Sequence, residues 1–247
     1  MKGQCRGVTI LLDGSTGPPG YFYTDSGLIP HRGVNDVDEG GMALNIQDLL
    51  LTIPGLLIAL MTHELAHGYM AYSLGDPTAK ASGRLSLNPL VHLDPVGTLM
   101  LILFRFGWAK PVPINPMYFR DRRRGMMLTS LAGPASNFLG ALVSSYILLQ
   151  FGTGGSVFTV MVYYLMMYNI WLGLFNLLPI PPLDGSHILK SLAPYGSGLW
   201  HFAHQLDQYG WLILMVLLVF RVIPRLLMPL ANAIQGLLFA LVSLVVI

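Results

Sequence analysis

Charge, cysteine and late glutamate are what this chain lacks. Of its 247 residues only 11% are Asp, Glu, Lys or Arg, against ~25% in ordinary soluble domains. That excludes a conventional water-facing surface over most of the length. The one cysteine, Cys5, can close no internal disulfide and stands at no metal-ligand spacing. A disulfide framework and a thiolate zinc site are thereby excluded. No glutamate follows Glu64, so any carboxylate from the later chain is an aspartate. The beginning does not read as a secretory leader, because "VTILL" is too short for an apolar leader core and no clear cleavage signal follows it.

Apolar sequence fills the space. Hydrophobic residues make up 53% of the chain, and mean hydropathy is +0.59. Several long apolar runs predict an all-α polytopic membrane protein with about five to six transmembrane helices plus a re-entrant segment. Its surroundings are then a lipid bilayer. Arg120, Arg122, Arg123 and Arg124 crowd into "FRDRRRGMM". With no basic fold or aromatic platform beside them, they predict a membrane-flanking cluster that sets topology, and no nucleic-acid partner.

Residues 1–41 differ from the rest. They are rich in Gly, Pro and Asp, lack helical periodicity, and predict a mobile N-terminal extension. Met42 stands directly before the first amphipathic turn and is a second candidate start. Residues 42–247 form one integral membrane domain. The first apolar run, about 48–74, is roughly 40 Å long as a helix, enough to cross with tilt. Pro54 is expected to kink it, and Gly75-Asp76-Pro77 to stop it. Residues 77–95 are polar and broken by prolines. The apolar part of 96–108 is too short to span and reads as re-entrant. Full spans follow at about 126–151 and 156–178. A Pro-broken stretch occupies 178–196, and two further runs lie at about 209–223 and 226–247.

The charges orient these spans. The loop at 105–125 carries Arg105, Lys110 and the arginine cluster, so it faces the cytoplasm. The span at 156–178 then returns to that side and brings Asp184 with it. A re-entrant 96–108 puts the end of the first helix there too. The polar residues of that helix lie about 7–11 residues before its end, roughly 10–17 Å deep.

Those residues are His63, Glu64 and His67, in "LIALMTHELAHGYMAYSLG". The pattern is H-E-x-x-H. Residues four apart share one helix face, so both imidazoles can reach one ion. Glu64 stands beside that ion, where it can take a proton from an activated water. Ionisable groups inside a span are costly, and ligation of a metal gives a physical reason for them. A helix with incidental polar residues is the bland alternative.

Zinc needs a third protein ligand and an open position. Asp76 ends the same helix and is expected to point away, and Asp121 is embedded among arginines. Asp94 and Asp184 remain. Asp184 is the better candidate, because "NLLPIPPLDG" ends a span in irregular backbone, which is tolerated where it lines a protein-buried or wet cavity. Its bland reading is the turn of an Asp-Gly pair.

"HELAHGYMAYSLGDPTAKASGRLSLNPLVHLDPVGTLM" together with "NLLPIPPLDG" resembles the site-2 protease family of intramembrane zinc metalloproteases. Within it the chain is most similar to the small bacterial and archaeal subfamily without a PDZ or CBS domain. The resemblance is strong over about 45–190 and weaker beyond. It implies one zinc ion per chain held by His63, His67 and Asp184, with Glu64 as general base. It implies a zinc endopeptidase of the cell membrane, active nearer the cytoplasmic face, that cuts membrane-protein substrates in or near their spans. Regulation then falls to partner proteins or prior trimming of the substrate. The sequence fixes no oligomeric state.

Three further residues are candidates for substrate or oxyanion binding. Asn137 lies inside a span, among the small residues of "LAGPASNFLG", and the resemblance suggests that it faces the cleft. Asn176 lies in "FNLLP". His92, in "NPLVHLDP", could approach the zinc or the oxyanion. The bland readings are interhelical hydrogen bonds for the asparagines and a loop histidine bonded to Asp94 or backbone. His187 is a lesser candidate, and His201 and His204 read as interfacial. A membrane metal transporter or zinc-binding regulatory protein is the rival reading. A transporter needs a polar path from side to side, whereas this sequence puts its polar groups on one side.

Overall fold

The computed structural model describes residues 21–24, 27–30, 46–97, 109–152 and 156–246. Most of the re-entrant segment expected over 96–108 therefore lies outside the described residues. Regular structure begins with an antiparallel hairpin of β1 (Tyr21–Thr24) and β2 (Gly27–Pro30), with Phe22 opposite Ile29 and Tyr23 opposite Leu28. The segment expected to lack regular structure thus contains a short hairpin, in which aromatic and β-branched residues favour extended backbone. Strand pairing elsewhere among the described residues is one isolated bridge, Leu93 to Ala109.

Everything else regular among the described residues is helical. The first helix, α1, spans Ile46–Ser73 with Pro54 inside it. Gly75 ends it at φ 103°, where a side chain would be strained. Gly75 N–H donates to the Tyr72 carbonyl and Asp76 N–H to the Ala71 carbonyl, the pair of bonds that closes a Schellman end. The short α2 (Thr78–Ala81) follows, then 3₁₀ turns at Pro89–Val91 and Pro116–Tyr118.

Helix α3 (Arg122–Phe151) is capped by Asp121, whose side chain accepts from Arg124 N–H. Helix α4 (Val157–Asn176) is capped by Ser156. The prolines at 179–182 break the chain before the nine-residue α5 (Asp184–Leu192). Helices α6 (Gly198–Val219) and α7 (Val222–Val246) complete the chain.

Five of these helices are long and apolar enough to cross a membrane: α1, α3, α4, α6 and α7. Their outward faces carry exposed Leu139, Leu212, Val219, Leu237 and Leu244. Such apolar surface is abnormal for a water-soluble monomer and ordinary against lipid. The chain is a multi-pass membrane protein.

Helices α1, α3 and α4 pack against one another, α7 against α3 and α4, and α5 between α3 and α6. Close approach depends on small residues. A Cβ on Gly55 of α1 would stand 2.9 Å from the backbone nitrogen of Leu165 in α4. Met166, Ile170, Leu174 and Ala141 close the core between α3 and α4. The α1–α3–α4 trio surrounds the polar residues of the first span, and α5 meets it from one end.

Candidate metal centre

The four-residue spacing in α1 sets the His63 and His67 rings side by side, with centroids 4.6 Å apart and planes at 85°. Both are buried, at 4% and 6% exposure. Each ring is held at its far nitrogen. His67 Nδ1 lies 2.7 Å from the Thr129 carbonyl oxygen of α3. That oxygen only accepts, so Nδ1 donates, and the neutral ring keeps a lone pair on Nε2. His63 Nδ1 lies 2.6 Å from Asn137 Oδ1. Asn137 Nδ2 donates to the Ala59 carbonyl at 3.1 Å and to Asn169 Oδ1 at 2.9 Å, so its oxygen faces the ring. His63 therefore also donates from Nδ1.

Two bare Nε2 atoms then meet at 3.0 Å. Asp184 Oδ2 lies 3.2 Å from each of them, is buried, and has no hydrogen-bond donor. Three lone-pair atoms this close repel one another unless a cation sits among them. Ligands of one tetrahedral zinc, each about 2.0–2.2 Å from the ion, lie about 3.3 Å apart. Two neutral imidazoles and one carboxylate fit that ion and leave its fourth position open. Among the described residues this is the group of His, Cys, Asp or Glu that could hold a metal.

Asp184 reaches the pair because α5 starts with it. The helix N-terminus favours a carboxylate. Gly185 permits the placement: a Cβ there would stand 2.3 Å from the Leu177 carbonyl oxygen at the end of α4. The Asp-Gly pair is thus a tightly packed helix start rather than a turn.

Glu64 is half-buried beside this group. Its Oε2 accepts from Val112 N–H at 3.0 Å. Val112 belongs to an extended stretch docked along α1. Lys110 N–H donates to the His92 carbonyl, and Asn115 N–H to Asp76 Oδ2 at 2.7 Å.

Comparison with known proteins bears on what such a centre does. A family model, Peptidase family M50, matches residues 153–219, the part that carries Asp184. "Putative zinc metalloprotease YwhC" of Bacillus subtilis is 40% identical over 190 residues, 72% of this chain and 84% of its own length. "Putative zinc metalloprotease Rip2" of Mycolicibacterium smegmatis is 31% identical over 186 residues, 69% of this chain and 67% of its own. No solved structure gives a significant match. The chain belongs to peptidase family M50.

Membership in M50, the site-2 protease family, makes the chain a zinc metalloprotease and leaves the transporter reading without support. The remaining candidates take distinct places around the M50 centre. Asn137 is wholly buried, and its amide is fully engaged by His63, Ala59 and Asn169, so it holds a ring and has no atom left for substrate. Asn176 donates back to the Leu172 carbonyl of its own helix. His92 is 1% exposed, and its Nε2 lies 2.9 Å from the Ser86 carbonyl, apart from the metal group. Asp94, the rival third ligand, accepts from Gly97 N–H instead. His187 is half-buried one turn after Asp184, and burial with nearby Lys190 lowers its imidazole pKa below the ordinary value.

Asp76 lies outside the metal group, as expected, and has a structural place of its own. It is fully buried and accepts from Thr78 N–H, Thr78 Oγ1 and Asn115 N–H, fixing the extended stretch to α1. Arg123 is more than a topology charge: it donates to the Ser191 and Ala193 carbonyls at the end of α5. Thr129, Asn169 and Val112 were not singled out in the sequence. The Thr129 and Val112 contributions come from backbone atoms, which leave no trace in residue type. Asn169 did leave a signal, as an amide within the apolar run of a span.

Proposed function

We propose that this M50 protease is an intramembrane zinc endopeptidase that hydrolyses peptide bonds in or near the spans of membrane proteins. His63, His67 and Asp184 hold one zinc ion per chain, and Glu64 is the general base. The observation that carries this reading is the convergence of two tautomerically fixed Nε2 atoms and an unpartnered Asp184 oxygen inside the trio of apolar helices.

Bound zinc would supply Lewis acidity toward the scissile carbonyl and toward water. The chain's own residues do the rest. Asn137 and the Thr129 carbonyl keep both rings as Nδ1–H tautomers throughout. Val112 N–H steadies Glu64 at Oε2, so Oε1 takes the proton of the attacking water and returns it to the leaving amine. Amides of a spanning helix are already paired, so substrate reaches this site only where its helix unwinds.

The arginine cluster at the start of α3 adjoins the loops at the C-terminal end of α1, which supports a centre nearer the cytoplasmic face of the cell membrane. His63 and His67 lie ten and six residues before the end of α1, so substrate enters below the bilayer surface.

The test is cleavage of single-span test proteins in proteoliposomes by wild type and Glu64→Gln, with zinc content measured in both. Wild type should cut within or beside the span, and Glu64→Gln should keep its zinc and cut nothing. Retained cleavage by Glu64→Gln, or cuts confined to remote soluble domains, would overturn the proposal.

A further inference from the structure

Asn169 of α4 is a buried amide that the mechanism above does not use. At 2% exposure in the apolar run "YYLMMYNIWLGLF", it carries a desolvation cost unless bonded. Its bonds run in one direction. Nδ2 donates at 2.8 Å to the Leu165 carbonyl, one turn back. A carbonyl cannot donate, so the amide nitrogen is fixed on that side and Oδ1 is aimed at α3. There Oδ1 accepts from Asn137 Nδ2 at 2.9 Å.

The same logic passes along the next link. Asn137 Nδ2 gives its second proton to the Ala59 carbonyl at 3.1 Å. A flip of the Asn137 amide would set its oxygen against two acceptors at once. Its oxygen therefore stays 2.6 Å from His63 Nδ1, which must donate. Amide orientations of this kind follow from the network of partners, and here every link ends on an acceptor-only atom. A relay of Leu165 carbonyl, Asn169, Asn137 and His63 crosses from α4 through α3 to α1.

We infer that Asn169 is a positioning residue for the metal site: it locks the Asn137 amide so that His63 is kept as the tautomer with Nε2 free to ligate. Without Asn169 only the Ala59 carbonyl opposes the flip, and in the flipped fraction the amide presents its NH₂ group to His63 Nδ1. The ring proton then moves to Nε2 and occupies the ligand position. His67 needs no such relay, because the Thr129 carbonyl holds it directly. A second observation marks the room kept for this amide. A Cβ on Gly140 would stand 2.7 Å from Asn169 Oδ1. The inference rests on the zinc reading above, through the role it gives His63.

The experiment uses the full chain in detergent, with zinc affinity measured by competition against a chromogenic chelator. Asn169→Leu should bind zinc about ten- to a hundredfold more weakly, the range for loss of a partner behind a metal ligand. Asn169→Ser serves where Leu impairs folding. Combining the change with Asn137→Asp should restore affinity, because a carboxylate offers His63 an acceptor in either orientation. A purely structural Asn169 predicts the reverse, since the added buried charge would only do harm.

Ring ¹⁵N spectra of histidine-labelled protein give the direct signature. Asn169→Leu should lower the share of the His63 Nδ1–H form and leave that of His67 unchanged. Unchanged affinity, failed rescue in a folded double variant, or equal disturbance of both rings would overturn the inference. If wild type binds no zinc, the zinc reading fails separately. The ring spectra then decide: a lower share of His63 Nδ1–H alone supports the relay, and an unchanged share overturns it.

Discussion

Gly133 and His67 are in contact of a kind that admits no side chain: a Cβ on Gly133 would stand 2.3 Å from His67 Nε2, and 2.7 Å from His63 Cε1. The ring cannot swing aside, because Nδ1 is bonded to the Thr129 carbonyl one turn earlier in the same α3 helix. The missing side chain is what lets α3 come close enough to hold the histidine at all. Gly133→Ala is expected to keep the helical fold and to weaken zinc binding. Overpacking costs about 1–3 kcal/mol, equivalent to about five- to a hundredfold in affinity. Circular dichroism and zinc competition on the same sample check this. Full zinc affinity in Gly133→Ala would show that the pair tolerates displacement.

Removal of the metal tests whether the site is preformed. Both rings are held from behind by α3, through atoms that do not depend on an ion. Chelation should therefore abolish proteolysis while the helical signal persists, and added zinc should restore activity. The thermal midpoint should fall on chelation, since free zinc at a hundred times its Kd stabilises the folded state by about 2.7 kcal/mol. Collapse of the helical signal on chelation would instead mark a domain folded by its metal.

How much of this was legible in the sequence depends on which atoms do the work. His63, Glu64, His67 and Asp184 announce themselves, because titratable side chains are costly inside apolar runs and their spacing has a helical meaning. Asn137 announced its burial but not its partner: the sequence left substrate binding and an interhelical hydrogen bond both open, and the structure sets it behind His63. Backbone donors and acceptors such as Val112 N–H and the Thr129 carbonyl are present at nearly every residue, so only folding selects them. Asp76 stays outside the metal group, as helix geometry past His67 implies, but that geometry does not disclose its burial. The Schellman end at Gly75 turns the chain and buries it. The helical spans were readable from hydropathy, whereas four-residue strands in a Gly- and Pro-rich stretch carry too short a period to detect.

The burial of Asp76 makes a separable prediction. Its carboxylate satisfies Thr78 N–H, Thr78 Oγ1 and Asn115 N–H. Asp76→Ala leaves buried donors unpaired, at about 1–3 kcal/mol for each such group. The thermal midpoint should drop by several degrees. Zinc affinity should hold, since Asp76 is outside the ligand group. Turnover should fall more than zinc binding, because the released stretch also carries the Val112 N–H that steadies Glu64. Zinc loss in parallel with stability would instead couple Asp76 to the metal.

Arg123 separates topology from architecture. The sequence reading gives all four clustered arginines one role, a cytoplasmic charge. In the structure Arg123 is the one that donates from Nε to the Ser191 carbonyl and, at 2.8 Å, from Nη2 to the Ala193 carbonyl. These carbonyls lie at the C-terminal end of α5, where a cation is favoured, and Asp184 begins that same nine-residue helix. Arg123 therefore steadies Asp184, the proposed third ligand, from about 13 Å along the helix axis. Arg123→Gln should weaken zinc binding several-fold, and Arg123→Lys should recover part of it, since an ammonium keeps the charge and loses the fork. Arg122→Gln removes the same charge one residue away. Equal effects of Arg122→Gln and Arg123→Gln on zinc affinity would leave only the topological role. An effect confined to Arg123 would tie the metal site to the far end of its short helix.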